Sequence, residues 1–218
     1  MNTRKLLVSV LMFVSVLLAA CAPAATQAPT AIPPTTAPTI AIAPAQEGIT
    51  FLSKTFNLPI TFHYGPEWKI DAENSSYISL LYKDFDGEFL FINPKSAKVA
   101  GPAAPYSVIP FPDDFANWIQ MHGLFQVVKT QPVLVGGLHG TQIDADATEA
   151  CGEKTMWFLI DTGGWNCGSG GHYHFIYLDD VNGERLLIMT QGYVSAQDFV
   201  LMTNASQKVL ETVVFSKP

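Results

Sequence analysis

The sequence predicts an α+β domain: an antiparallel sheet of about six to eight strands packed with two main helices. Three observations carry this expectation. Two Asp-Gly or Asn-Gly turns each separate a pair of apolar, aromatic or β-branched runs. Further runs of the same kind fill the middle of the chain between glycine-bearing turns, while two other segments space their apolar residues at helical period.

The elements follow in chain order. Residues 2–20 place Arg4 and Lys5 before an uncharged run at 6–18 and close on Ala19 and Ala20, the layout of a secretory signal peptide. That run is shorter than the roughly 20 residues needed to span a bilayer as a helix. Leu18-Ala19-Ala20-Cys21 resembles the lipobox of bacterial lipoproteins, which implies a diacylglycerol thioether on Cys21 as the new N-terminus. Two acyl chains suffice for stable anchoring. Residues 21–46 continue as a linker: nine Ala, six Pro and five Thr fill 20 of the 25 positions 22–46, without a charge. Such a chain has little to bury and tends to extend, with a reach of roughly 75 Å at ~3.1 Å per residue. A single globular domain is expected over residues 47–218.

Within it, residues 77–83 (YISLLYK) and 88–92 (EFLFI) flank Asp86-Gly87, and residues 173–178 and 185–190 flank Asn182-Gly183; both read as antiparallel hairpins. Residues 125–135, 141–144 with their continuation, and 154–160 supply more strands, with Gly136-Gly137 as a turn. Asp113 or Asp114 caps a short helix whose Phe115, Trp118, Ile119 and His122 share one face, with Gly123 expected to end it. Ser195 and Asp198 make a capping-box-like start for a second helix, with Phe199, Met202, Ala205, Val209 and Val213 along one stripe.

Composition excludes several classes of function. The chain has 218 residues, 14% of them charged, and a formal net charge of -7. Without residues 1–20 the charge becomes -9, from ten basic and nineteen acidic side chains. Nucleic acid is therefore not an expected partner, and an acidic surface suits a domain held off anionic lipid. Cys151 and Cys167 are the two cysteines besides Cys21, and an even pair in an exported domain is expected to form a disulfide. Neither a Cys-x-x-Cys motif nor a zinc-binding spacing is present.

Residues 58–62 (LPITF) leading to Trp68, residues 112–122 with Trp118, residues 133–140 (VLVGGLHG), Cys151 and the close at 199–215 occur in a recurrent order. In that order they resemble a group of uncharacterised exported bacterial lipoproteins and, more distantly, the PsbP/Mog1-type fold. The resemblance spans most of residues 50–216 and implies a binding or assembly role with no catalytic residue carried over. One departure is that Gly65-Pro66-Glu67-Trp68 stretches the Gly-Trp of that group.

Candidate chemistry is sparse. His172 and His174 lie one residue apart in an expected strand, so their rings share a face and could bind a metal with a third ligand such as His139 or Asp146. Local hydrogen bonding of the two rings is the plainer reading, and the expectation is of no bound metal or cofactor. Gly168-Ser169-Gly170-Gly171 lacks the strand-turn-helix order that exposes a serine nucleophile. Asp144, Asp146 and Glu149 put two carboxylates on one strand face but lack the rest of a calcium loop, and Asp179, Asp180, Asn182 and Glu184 suit a turn. The best binding candidate is the glycine-rich segment 161–173, whose Trp165, His172 and Tyr173, with His174 beyond it, offer contact area beside Cys167.

The sequence thus points to a binding or envelope-interaction module without catalytic activity, held by Cys21 on the extracytoplasmic face of the cell membrane. Its partner is expected to be an envelope protein or a small molecule. The alternative is a metal-binding protein or metal-dependent hydrolase centred on His172 and His174.

Overall fold

The computed structural model describes residues 48–152, 155–160 and 163–216. The signal-like segment, Cys21 and the linker lie outside the described residues. In chain order the strands are β1 (Ile49–Leu52), β2 (Ile60–Tyr64), β3 (Trp68–Glu73), β4 (Tyr77–Tyr82), β5 (Gly87–Ile92), β6 (Lys98–Ala100) and β7 (Val108–Pro110). After helix α1 (Phe115–Met121) come β8 (Phe125–Val135), β9 (Leu138–Ala147), β10 (Thr155–Ile160), β11 (Gly163–Cys167), β12 (His172–Val181) and β13 (Glu184–Gly192). Helix α2 (Ala196–Leu210) and β14 (Val214–Phe215) close the domain.

The α+β expectation holds, and one sheet has seven strands in the order β3-β4-β5-β13-β12-β9-β8, paired antiparallel throughout. Two smaller sheets, β1-β2-β14 and β11-β10-β6-β7, were not foreseen. Both turns with paired positive φ fall where the sequence put them. Asn182 and Gly183 (φ 58° and 87°) join β12 to β13, and Gly136 and Gly137 (φ 56° and 80°) join β8 to β9.

The turn before β5 differs from expectation. Gly87 opens the strand instead of occupying a left-handed turn position, and what demands glycine there is packing: an added Cβ would lie 1.9 Å from Met202 Cε of α2. The two helices start as expected, Asp114 accepting from the Asn117 N–H and Ser195 from the Asp198 N–H. Gly123 is not the left-handed cap of α1, since His122 ends that helix in extended conformation. His122 is buried, its Nε2 3.2 Å from the Ala100 carbonyl and its Nδ1 accepting from the Leu124 N–H.

Alternation along the central strands divides the interior in two. Tyr173, Phe175 and Tyr177 of β12 face a core closed by α1 and the β11-β10-β6-β7 sheet, where Phe115, Trp118, Phe125, Trp157 and Phe158 pack. Ile176 and Leu178 face the opposite core, beneath Met202, Ala205 and Val209 of α2 and Ile60 and Phe62 of β2. Thr190 and Ser206 hydroxyls, 2.9 Å apart, join sheet to helix inside this second layer. Cys151 and Cys167, both buried, form the expected disulfide, with Cα atoms 5.3 Å apart.

Strand β8 is one edge of the seven-stranded sheet. It carries a bulge between Val127 and Lys129, leaving Val128 exposed, and a proline at Pro132.

A groove floored by two His–Asp pairs

Helix α2 lies over β13 and β12, and the polar ends of β12 and β9 are left beside it. Because β12 and β9 run antiparallel with His172 opposite Asp146 and His174 opposite Asp144, the two carboxylates meet the two imidazoles pairwise on one face. His172 Nδ1 is 2.6 Å from Asp146 Oδ1, and His174 Nδ1 is 2.5 Å from Asp144 Oδ1. An ionised carboxylate can only accept, so each ring must carry its proton on Nδ1. Nε2 is then left as the second, independently available nitrogen.

The surroundings tighten one pair more than the other. The His174 side chain is 8% exposed and that of His172 23%. Gln142 donates to both Asp144 oxygens at 3.3 and 3.4 Å, and its own Oε1 accepts from Gln131 at 3.0 Å. Burial acts to raise the Asp144 pKa, but the His174 hydrogen bond and charge, with Gln142 and the Lys129 ammonium, hold it below the ordinary carboxylate value. On the opposite wall, the Phe199 ring lies 5.3 Å from the His172 ring, tilted by 32°. Val200 and Thr203 of α2 and Val128 of β8 complete a groove of about 420 Å³. That lies in the size range of small-ligand sites, and it exceeds the clefts beside Glu67, Trp165 and Cys167, at about 240, 290 and 300 Å³.

The sequence candidates are redistributed accordingly. His172 and His174 stand together as expected, but Asp146 serves the His172 Nδ1 instead of standing beside the rings as a third ligand. His139 lies opposite Leu134, toward the other end of β9. Among the described residues, no group of three or more His, Cys, Asp or Glu side chains converges as a metal-ligand set. The segment expected as a recognition loop contains strand β11, paired with β10. Trp165 folds against the sheet, its indole N–H donating to Glu88 at 2.8 Å and its ring edge-on to Tyr77. Tyr173 is a core residue whose phenol burial pushes well above the usual tyrosine range. Ser169 sits in a turn closed by a Gly171 N–H to Gly168 carbonyl bond of 3.0 Å.

Sequence reasoning missed Gln142, Val128 and the α2 wall. Gln142 follows the same alternation as Asp144 and Asp146, so a polar face of three was readable. Phe199 falls on the same sequence stripe as Met202, Ala205 and Val209, and nothing in its spacing separates the core side of α2 from its groove side.

No family model and no curated protein matches the chain. Several solved structures are partly similar, among them the following three. A Bacteroides thetaiotaomicron protein is 11% identical with a TM-score of 0.41, covering 79% of this chain, which spans half (50%) of that protein's length. A Pseudomonas aeruginosa protein of unknown function is 12% identical with a TM-score of 0.41, covering 78% of this chain and 99% of that one. LpqN of Mycobacterium tuberculosis, involved in cell envelope biogenesis, is 13% identical with a TM-score of 0.40, covering 79% and 87%. No role or ligand passes from these proteins to this chain. Among the described residues no helix is long and apolar enough to cross a membrane.

Proposed function

We propose that this is a lipid-anchored, extracytoplasmic binding module of the exported-lipoprotein kind, taking a small, partly apolar ligand in the α2 groove without transforming it. The observation that carries the reading is the groove itself: an apolar wall at Phe199 and Val200 faces a floor of two His–Asp pairs. Ligand sites of this size typically combine an apolar lining with a few placed polar groups. A non-catalytic role is supported by the groove's Thr203, whose hydroxyl donates to the Phe199 carbonyl and, among the described residues, makes no hydrogen bond to either imidazole, so no nucleophile–base pair is assembled there. The anchor rests on Leu18-Ala19-Ala20-Cys21 and the uncharged Pro-rich spacer.

The test is native mass spectrometry of the full chain purified from its own cells, against a Thr203→Trp variant that fills the groove. A small-molecule adduct on the wild type that disappears in the variant is expected. The same adduct on both proteins, or none on either, overturns the groove as a ligand site. For the anchor, the wild-type chain should partition into the detergent phase and a Cys21→Ala chain into water; equal partitioning overturns it.

A further inference from the structure

We propose that His172 and His174 hold one divalent transition-metal ion through their Nε2 atoms, and that the metal's open positions take a small chelating ligand. This rests on the groove being the binding site and names the chemistry of what it binds.

Residues i and i+2 of a strand point the same way, so His172 and His174 of β12 both line the groove floor. Both Nδ1–H groups are committed to carboxylates at 2.6 and 2.5 Å, so Nε2 is the nitrogen of each ring open to a metal, which displaces its proton where the ring is charged. A carboxylate on the far nitrogen is the arrangement found behind most metal-ligating histidines, where it fixes ring orientation and raises the basicity of the ligating nitrogen. Here the same arrangement occurs twice, on adjacent cross-strand pairs. The His172 side chain is accessible from the groove.

The chemistry also selects the ion. Calcium and magnesium want six or more oxygen ligands, but Asp144 is engaged at both oxygens and Asp146 at one, so the floor offers too few oxygens and presents nitrogen instead. Imidazole nitrogens favour copper, nickel and zinc, with copper(II) tightest in the Irving–Williams order. Two protein ligands do not fill the coordination sphere of any of these ions. The vacant positions open into the groove, where a ligand bearing amine or carboxylate donors can complete the sphere and lay its carbon skeleton on Phe199 and Val200.

The experiment titrates the full, tag-free chain with Cu²⁺ alone, followed by calorimetry and by the nitrogen hyperfine pattern of the electron paramagnetic resonance spectrum. One equivalent bound with two imidazole nitrogens is expected, with Ni²⁺ and Zn²⁺ weaker. His172→Ala should abolish the two-nitrogen signal, and Asp146→Asn should weaken binding by about 10- to 100-fold. The Asp146 variant separates the two roles, because a mere structural stitch would alter stability and leave metal affinity unchanged. If substitution of the nearly buried His174 prevents folding, the more exposed His172 carries the test. No stoichiometric binding by the wild type, or equal binding by His172→Ala, overturns the proposal. An adduct that Thr203→Trp still removes would then leave the groove standing as a site for a metal-free ligand.

Discussion

The two faces of the seven-stranded sheet are covered to different extents, and their chemistry follows the cover. One face lies under α1 and the β11-β10-β6-β7 sheet, and its core is a continuous aromatic mesh in which Trp157 stands edge-on to Phe125, Tyr173 and Phe175. The other lies under α2 and β1-β2-β14, a cover that leaves the β9–β12 end beside it open as the groove. Each face holds histidine, and the difference in setting is instructive. His122, against Trp118 on the sealed face, is held neutral: burial lowers its pKa, against the opposing hydrogen bond to the Ala100 carbonyl. His172 and His174 on the open face are each paired with a carboxylate. Polar groups are retained where a layer stops short, and elsewhere they are absorbed into the packing.

The sharpest way to break this comparison is to substitute one aromatic residue on each face. Trp157→Ala on the sealed face should cost about 3–5 kcal/mol, because the residue is fully buried and its neighbours cannot collapse into the space. Phe199→Ala, on a partly exposed wall, should cost less than about 1.5 kcal/mol. Urea midpoints at unchanged slope measure both, and equal losses would show that the two faces are not differently sealed. Next in size is the bridge at the margin of the sealed face. Replacing Cys151 and Cys167 by serine should remove ~3 kcal/mol, the loop-closure contribution for a sequence separation of 16. A stability unchanged by reduction would contradict it.

The smallest effects lie in pH dependence and separate the faces by window. The folded-state pKa of His122 is lowered, so the unfolded chain binds more protons, and stability should fall as pH drops through the ordinary histidine value of about 6.5. His122→Gln should flatten that slope. Asp144, also lowered, contributes stability that is present above the ordinary carboxylate value of about 3.9 and is lost as pH falls through its lower folded value. Asp144→Asn should flatten only this acid limb, by less than about 1 kcal/mol. Denaturation midpoints between pH 3 and 8 would decide, and a single shared transition in both variants would count against two separate sites.

Local chemistry made much of the fold legible. Asn182-Gly183 and Gly136-Gly137 determine their own backbone, and Ser195 with Asp198 announces a helix start without reference to the rest of the molecule. Strand β11 was illegible because Gly163 and Gly164 carry no side chain to declare a strand, and its pairing with β10 supplies the order. The short β2 and β14 are joined across more than 150 residues, a separation that no local pattern encodes. The site was half legible. Both polar pairs were visible as alternations, but which His meets which Asp is set by the register between β9 and β12, strands some 26 to 30 residues apart at these contacts. The wall depends on how α2 is rotated over the sheet, which packing of Met202 against Gly87 helps to fix.

The edge strand β8 bears on how the molecule behaves in a crowd. An eleven-residue edge strand, paired with β9 on one side only, would normally invite a second copy to add its own strand on the other and start a fibre. A copy approaching β8 instead meets a bulge that bends the hydrogen-bonding row, a Pro132 with no N–H to offer, and the charge of Lys129. Colloidal stability is therefore written into the strand that borders the groove. Straightening β8 by deleting Val128 and replacing Pro132 and Lys129 with threonine would leave the core intact and still produce a protein that stacks upon itself.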